Sequence, residues 1–199
     1  MPKIVDHDKR KELIADAMMT VIKRVGLEKT TVRRIAEEVG LSMGSVQYYF
    51  PAQHDLYIYA MELLIQRLED RVKNAVQEDI AVTEAVATIL KQLIPFQDEE
   101  HKLECEVWLA FSVMALRDPA LETLSRNMYT SVRELIRQLL TALLEERLLE
   151  ASFDLEIGAM SLHAFIDGIT TQAILYQGLF DEGKIDVLIK DYLQNICKK

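Results

Sequence analysis

Glycine and proline are scarce in this chain, which contains seven and four of them among its 199 residues. Average usage gives roughly 12% for the two together. Tight turns, hairpins and bulges need these residues, so their scarcity argues against an all-β sandwich or barrel. The elements that remain are long ones joined by few turns, and long elements are usually helices. The composition therefore predicts an all-α fold.

Cysteine is also rare, and the chain lacks a recognisable export or membrane segment. Cys105 and Cys197 lie far apart in the sequence, which gives neither a disulfide framework nor metal-ligand spacing and fits a reducing cytosol. The first six residues have no apolar signal-peptide core. The most apolar stretch, 157–180, contains Asp167, so a membrane span there would bury a charge. We therefore expect a soluble, cytoplasmic protein with no membrane partner.

Positive charge is too scarce for a protein that coats nucleic acid with its whole surface. The formal net charge is −9 and the sequence pI is about 5.0, whereas phosphate binding needs a basic footprint. The charge is unevenly spread. Residues 1–50 carry nine basic and seven acidic side chains, whereas the rest of the chain has a net charge of −11. This asymmetry suggests a nucleic-acid-facing end joined to an acidic body. Ordinary variation over a surface is the alternative.

Apolar residues at helical spacing predict helices along the whole chain. The first pattern runs from about residue 8 to residue 25, with Leu13 on its inner face, and Gly26 ends it. Two short helices follow. Pro119, directly after an aspartate, stands at the first position of a later helix, where proline is favoured. The predicted longer helices cover residues 53–77, 83–93, 98–116, 118–149, 154–177 and 184–197.

The two short helices form a candidate helix-turn-helix. Thr31–Val39 and Ser42–Phe50 are separated only by Gly40 and Leu41, and a glycine suits a helix end that needs positive φ. A short second helix that begins with small polar residues can enter a DNA major groove end-on. A plain pair of surface helices in a bundle is the alternative, and this geometry alone does not decide between the two.

The same segment resembles the signature of the tetracycline-repressor (TetR) family, a TxxxIAxxxGxSxGxxYxYF-type run followed by a short polar segment and a leucine. Gly26, after the first helix, also matches. Gln47 departs from the family pattern by replacing the first aromatic residue, with Tyr48 next to it. Gln53 stands where lysine is frequent, so a backbone-phosphate contact is lost or supplied elsewhere. The matching residues are Thr31, Ile35, Ala36, Gly40, Ser42, Gly44, Tyr49, Phe50 and Leu56.

This resemblance implies a homodimeric transcriptional regulator, usually a repressor, that a small ligand releases from double-stranded operator DNA. The implied fold is an N-terminal three-helix helix-turn-helix domain, residues 1–52, and a C-terminal helical bundle for ligand binding and dimerisation, residues 53–199. Ligand binding would act by moving the helix at 53–77, which links the domains. A transcriptional activator of the same family and a helical ligand-binding protein without DNA function are the alternatives.

Residue chemistry suggests how the second short helix would contact DNA. Gln47 can form a bidentate contact with adenine, and Met43 can contact a thymine methyl group. Gly44 has no side chain and lets the start of the helix approach a phosphate. Further candidates are Thr31, Arg34, Tyr48 and Tyr49 for phosphate contacts, and Ser42 and Ser45 on the outer face. Lys9, Arg10 and Lys11 form either a DNA-contacting arm or a solvated helix start, Tyr49 can also be core, and Phe50 is assigned to the core.

In the family, the later helices enclose a ligand cavity. The apolar and aromatic residues there would suit a medium-sized apolar or aromatic effector. For each of them taken singly, an ordinary core position is the favoured interpretation. The candidates are Phe96, Cys105, Trp108, Phe111, Met114, Met128, Tyr129, His163 and Phe165.

The last two helices are the candidates for the dimer interface that the resemblance implies. Met160, Ala164, Gly168 and Thr171 give the first of them a face of mostly small residues, which permits close approach of another helix. Packing within one chain is the alternative. The apolar stripe of the last helix consists of Ile185, Leu188, Ile189, Tyr192, Leu193 and Ile196.

The sequence offers no pattern typical of an enzyme. A di-iron helical bundle needs two Glu-x-x-His pairs, and the nearest match is a single Asp98-x-x-His101. No order of Ser, His and Asp, or of Cys and His, suggests a nucleophile, and no glycine-rich phosphate loop is present. We expect no catalytic residue, no cofactor and no metal ion.

Overall fold

The computed structural model describes residues 7–75, 79–95 and 98–198. Their regular structure is helical, apart from one isolated bridge between Gln177 and Phe180, so the all-α prediction is confirmed. None of the helices in these ranges is both long and apolar enough to cross a membrane. The helices are α1 (His7–Val25), α2 (Val32–Val39), α3 (Met43–Tyr49), α4 (Gln53–Ala75), α5 (Val82–Lys91), α6 (Glu99–Ala115), α7 (Pro119–Glu145), α8 (Leu155–Leu175) and α9 (Glu182–Ile196), with a short 3-10 turn (Leu27–Lys29) after α1.

Short polar side chains fix where several helices begin. The side-chain oxygens of Thr31, Ser42, Asp154 and Asp181 each accept a hydrogen bond from a backbone N–H two or three residues further on. These bonds satisfy N–H groups that have no partner inside the helix. The predicted starts of α2, α3 and α8 are confirmed, whereas α9 begins two residues before the predicted residue 184 because Asp181 caps it.

Helix α7 ends at Glu145, four residues before the predicted end at residue 149. Arg147 adopts a left-handed conformation with φ of 60°. The N–H of Leu148 donates to the carbonyl of Leu143 at 2.9 Å, and the N–H of Arg147 donates to that of Leu144 at 2.9 Å. This is the hydrogen-bond pattern that normally closes a helix on a glycine. The sequence does not indicate this helix end, because an arginine and not a glycine occupies the left-handed position.

The buried face of α1 differs from the predicted one at Leu13, which is 52% exposed. The prediction was wrong because successive helical residues are about 100° apart. A buried face centred on Met18 therefore leaves Leu13, about 140° away, on the exposed side, and keeps Met19, about 100° away, at its edge. Met19, 7% exposed, belongs to the buried face instead.

Backbone contacts divide the chain into two compact units. The first unit runs up to Leu64 and includes Ala110–Leu124, and the second comprises Ile65–Leu109 and the residues from Ser125 onward. Helices α4, α6 and α7 therefore each contribute residues to both units. The domain boundary placed after residue 52 stays a prediction.

Each unit has an apolar core of its own. In the first unit, α1 to α3 pack around side chains that are almost completely buried. The second unit is built from parts of the longer helices. The innermost residues are Ile14, Met18, Ile35, Val46, Leu56, Met61, Phe111 and Leu121 in the first unit, and Leu90, Ile94, Ile136, Leu140, Leu143, Ala159, Leu162 and Ile189 in the second.

Gly40 gives a direct test of this local geometry, since its φ of 70° is left-handed. We expect Gly40→Ala to lower the free energy of unfolding by about 1 kcal/mol, because an L side chain in this conformation meets its own backbone. Urea unfolding followed by circular dichroism measures the change. Gly44→Ala is the matched control: Gly44 lies within α3, and a Cβ there would be 3.9 Å from its nearest neighbour, the Ser42 hydroxyl. An equal loss of unfolding free energy in both variants would contradict the left-handed conformation assigned to Gly40.

Candidate nucleic-acid interface and ligand cavity

The turn between α2 and α3 is fixed by backbone geometry. Gly40 in the left-handed conformation lets the N–H of Leu41 donate to the carbonyl of Ala36 at 2.9 Å, which closes α2. Ser42 then caps α3 at once. Val46, with no exposed surface, anchors the inner side of α3 in the core. The chain thus changes direction within two residues while the outer side of α3 stays open to solvent.

The outer face of α3 carries the residues that the sequence singled out. Met43 is 46% and Tyr48 72% exposed, and Gly44 and Gln47 are also exposed. Residues three or four apart lie side by side on a helix, so Met43, Gly44 and Gln47 form one continuous surface. Tyr48 borders it. A contact of this surface with base edges stays a prediction.

Ser42 and Ser45 are bonded to each other as well as to the backbone. The hydroxyl of Ser42 accepts from the N–H of Ser45 at 3.1 Å, and the two hydroxyl oxygens are 2.8 Å apart. Ser42 is exposed and Ser45 is half-buried. The bond from the Ser42 hydroxyl therefore orders the first turn of α3, on which the positions of the exposed side chains depend.

Arg34 presents a positive charge on the exposed side of α2. Its Nη1 donates to the carbonyl of Lys29 at 2.5 Å, and its N–H donates to the hydroxyl of Thr31 at 3.4 Å. Arg33 and Arg24 are instead paired with the carboxylates of Glu37 and Glu38. In the described part of the chain, no carboxylate neutralises Arg34. This arrangement suits a phosphate contact, which stays a prediction for both Thr31 and Arg34.

An aromatic cluster lies where α1 begins and α3 ends. The imidazole of His7 is 6.2 Å from the ring of Tyr48 and 5.6 Å from that of Tyr49, and the two tyrosine rings meet edge to face at 5.1 Å. Tyr49 is half-buried, whereas Phe50 is 3% exposed and packs against Tyr59 at 5.3 Å. Phe50 is thus a core residue, as expected. The His7 contact could not be predicted from the sequence, because it joins residues about forty positions apart.

Gln53 is engaged inside the protein. Its side-chain amide donates to the carbonyl of Thr30 at 2.6 Å and also to the hydroxyl of Tyr57. Burial raises the pKa of Tyr57, while the bond with Gln53 acts in the opposite direction. The glutamine that replaces the family's frequent lysine therefore ties the start of α4 to Thr30, which directly precedes the N-cap of α2. The basic cluster Lys9, Arg10 and Lys11 lies on the first turns of α1, and both interpretations of it remain open.

The second unit contains an open cavity of about 630 Å³ with a strongly charged lining. The carboxylate of Glu104, 4% exposed, accepts from Nη1 of Arg67 at 3.1 Å and from Nη1 of Arg71 at 2.5 Å. Arg67 also pairs with Glu100 at 2.8 Å. The lining residues are Arg67, Asp70, Arg71, Asn74, Ala75, Gln92, Asp98, Glu100, His101 and Glu104.

Two titratable groups near this network stay uncharged at neutral pH. Burial lowers the pKa of His101, and the positive charge of Arg71 lowers it further. Burial raises the pKa of the Cys105 thiol to about 12. The charges of the cavity are therefore those of its carboxylates and guanidinium groups alone.

The effector residues that the sequence suggested are distributed differently. Phe96 lies outside the described residues. Cys105 and Trp108 are half-buried, Phe111 and Met128 are buried, and Tyr129 is 47% exposed with its ring stacked on buried His163 at 4.8 Å. None of the described six lines the charged cavity, and their role in effector binding stays a prediction. The lesser candidates Met114 and Phe165 are half-buried.

Sequence reasoning missed the charged cavity, although a signal was present. Arg67 and Arg71 are four residues apart on α4, and Glu100 and Glu104 have the same spacing on α6. Side chains with this spacing share a helix face. Two faces of opposite charge and equal spacing therefore indicated that α4 and α6 pair through these residues.

Comparison with known proteins gives matches along both parts of the chain. A family model for bacterial regulatory proteins of the tetR family matches residues 14–66, and a model for the C-terminal part of BetI-type transcriptional repressors matches residues 82–198. The HTH-type transcriptional regulator PksA of Bacillus subtilis is 34% identical over 197 residues, which cover 99% of this chain and 94% of PksA. The regulator BetI of Vibrio vulnificus is 29% identical, with 98% of this chain and 96% of BetI covered.

Solved structures show the same fold. A transcriptional regulator from Rhodococcus sp. RHA1 superposes with a TM-score of 0.81 at 25% identity, covering 94% of this chain and 95% of its own. A transcriptional regulator from Saccharomonospora viridis, in complex with choline, gives a TM-score of 0.86 at 19% identity. The match covers 96% of this chain and 100% of that chain.

The cap of α3 can be tested by removing one hydroxyl. We expect Ser42→Ala to lower the free energy of unfolding by about 1 kcal/mol, because the N–H of Ser45 loses its acceptor. Chemical unfolding measures this. Ser45→Ala is the control, since it removes the hydroxyl pair and keeps the cap. The role given to Ser42 is wrong if the two variants lose the same stability.

Proposed function

The chain belongs to the TetR family of helix-turn-helix transcriptional regulators, with a C-terminal domain of the BetI repressor type, and on this basis we propose that it represses transcription as a homodimer on a palindromic operator. It leaves the operator when a small effector binds. The family is one of regulators and not of enzymes, as the sequence predicted. The observation that carries the proposal is the exposed face of α3, which a glycine turn and a serine cap hold on the core of the first unit. The protein acts in the cytoplasm, because the operator DNA that it binds is in the cytoplasm.

Base recognition is assigned to Gln47 and Met43. Both are exposed on one face of α3, where a helix inserted into the major groove would meet base edges. Their chemistry fits adenine and the thymine methyl group, respectively. Phosphate contacts fall to Thr31, Arg34 and the tyrosines at the end of α3, and Gly44 lets the backbone come close.

The charge of the protein sets the conditions for this binding. A dimer carries about −18, twice the net charge of −9, so the negative body repels DNA and only the nearly neutral end can approach it. Affinity is therefore expected to fall steeply as salt rises, because each phosphate contact releases counterions.

Dimerisation is assigned to the open face of α8. Ile157, Met160 and Leu175 are 61%, 50% and 60% exposed, an unusual concentration of large apolar side chains in solvent. Ala164 and Gly168 lie between them on the same face, and a Cβ added at Gly168 would have no neighbour within 4 Å. A helix of a second copy can come close over these small residues. Two-fold symmetry then gives recognition helices about 34 Å apart, or a multiple of that repeat.

The effector is assigned to the charged cavity of the second unit. Arg67 and Arg71, which line it, lie on α4, the helix whose first residue, Gln53, is bonded to Thr30. A ligand that displaces these arginines would therefore act on α4, the helix that begins beside the DNA-binding helices. The S. viridis protein of the same fold was solved with choline. An apolar or aromatic effector at Cys105, Trp108 and their neighbours remains the second candidate.

Base recognition by α3 is tested by replacing Gln47. Selection of bound sequences from random duplex DNA gives the operator, and fluorescence anisotropy then measures binding to each single-base variant. We expect Gln47→Ala to remove about 1–3 kcal/mol of discrimination at one base pair of each half-site. Gln138→Ala, at an exposed glutamine of α7, is the control. A uniform loss over all sequences would make Gln47 a phosphate contact instead.

The dimer face is tested by placing a charge at its centre. We expect Ala164→Glu to dissociate the dimer at micromolar concentration in sedimentation experiments, because like charges brought together at an interface cost several kcal/mol. Leu116→Glu, at a residue of the first unit that is 83% exposed, should leave the dimer intact. A wild-type monomer at micromolar concentration, or a dimeric Ala164→Glu variant, would contradict the proposal.

A further inference from the structure

The lining of the charged cavity defines the chemistry of the ligand that it accepts. Resting on the proposed function, we infer that the effector is a small zwitterion, a molecule that carries one carboxylate and one protonated primary or secondary amine. The cavity of about 630 Å³ is of ordinary size for a small-molecule site.

The carboxylate belongs to Arg71. Its Nη1 is committed to Glu104 at 2.5 Å, whereas its Nε is buried and has no hydrogen-bond acceptor among the described residues. A buried donor without a partner lowers stability. The Nε edge of a guanidinium group offers two parallel N–H bonds, the geometry that matches a carboxylate. Because this Nε has almost no exposed surface, a ligand carboxylate satisfies the donor by displacing the side chains that cover it.

The overall charge of the lining calls for a cation as well. Asp70, Asp98, Glu100 and Glu104 outnumber Arg67 and Arg71, so the lining carries a net charge of −2. The neutral imidazole of His101 adds no positive charge. A ligand that is only an anion would raise this negative charge, and a phosphate dianion would raise it most.

Each half of the ligand alone therefore leaves one requirement unmet. A simple carboxylate meets the Nε of Arg71 but adds to the negative charge. A simple amine reduces the negative charge and leaves the Nε without an acceptor. A zwitterion gives the Nε an acceptor and the carboxylates a cation, and it does not add to the negative charge of the cavity.

The lining also decides which kind of cation fits. Within the described ranges it has no phenylalanine, tyrosine or tryptophan side chain, and quaternary ammonium groups are recognised by the faces of such rings. Carboxylates accept hydrogen bonds, which an N–H-bearing amine donates and a quaternary ammonium cannot. Choline, the ligand of the S. viridis protein, has no N–H to donate to these carboxylates.

Isothermal titration calorimetry of the full-length protein at pH 7.5 tests the inference. The probes are ω-amino acids with two to six carbons, each matched by the alkylamine and the alkyl carboxylate of the same length, together with choline. We expect at least one amino acid to bind about tenfold or more tightly than its matched amine and acid, since charge-assisted bonds form at both ends. Absence of binding by every amino acid, or tighter binding of choline, would overturn the inference.

A variant links binding to Arg71. Arg71→Lys keeps the positive charge beside Glu104 and removes the Nε edge, so the bound amino acid should lose about tenfold in affinity. Arg137→Lys is the control, because Arg137 makes a two-bond pair with Glu134 outside the cavity, at 2.8 and 2.6 Å. Thermal unfolding verifies that both variants fold. Equal affinity of Arg71→Lys and wild type would overturn the assignment to Arg71.

Operator release separates this inference from the proposed function. If an amino acid binds through Arg71 while operator affinity stays the same, the ligand class is right and ligand-controlled release is wrong. If choline or an apolar compound releases the operator and no amino acid binds, release is right and the ligand class is wrong. Fluorescence anisotropy of labelled operator DNA gives this second measurement.

Discussion

The ion pairs that the buried carboxylate of Glu104 makes with Arg67 and Arg71 are the interaction on which the second unit most depends. This carboxylate is almost fully buried and holds two arginines of α4 against α6. A buried charge is tolerated only when it is paired, and loss of one partner leaves the other uncompensated. The same pairs shape the cavity, since both arginines line it. Under the proposed function, structure and ligand recognition are therefore coupled at this one group, because a ligand that changes the pairing also changes how α4 is held.

The first unit follows local rules more than long-range ones. A left-handed glycine ends α2, a serine begins α3, and the completely buried Val46 fixes which side of α3 faces outward. At the far end of α3, Gln53 joins the start of α4 to the carbonyl of Thr30. Helix α4 is uninterrupted from Gln53 to Ala75. One element thus carries both the contact beside the DNA-binding helices and the arginines of the cavity.

Most of the fold could be predicted from the sequence because the signals are local. Helical spacing gave the helices, and Thr31, Ser42, Gly40 and Asp154 marked their ends within a residue or two. The end of α7 could not be predicted, because Arg147 occupies a position where glycine is the usual signal. The charged cavity was not predicted because it depends on α4 meeting α6, a pairing of distant segments, and because its lining includes charged residues such as Arg71 and Glu104, whereas an apolar effector site was expected. The exposed residues of α3 were identified, while their contacts with DNA are still predictions.

DNase footprinting on the DNA that flanks the gene, with and without a ligand found by calorimetry, measures operator binding and its release by the ligand in one experiment. We expect one protected palindrome whose half-site centres lie about 34 Å apart or a multiple of that distance, with protection lost when the ligand is added. Absence of any protected palindrome would contradict the account and leave a helical ligand-binding protein without a DNA function.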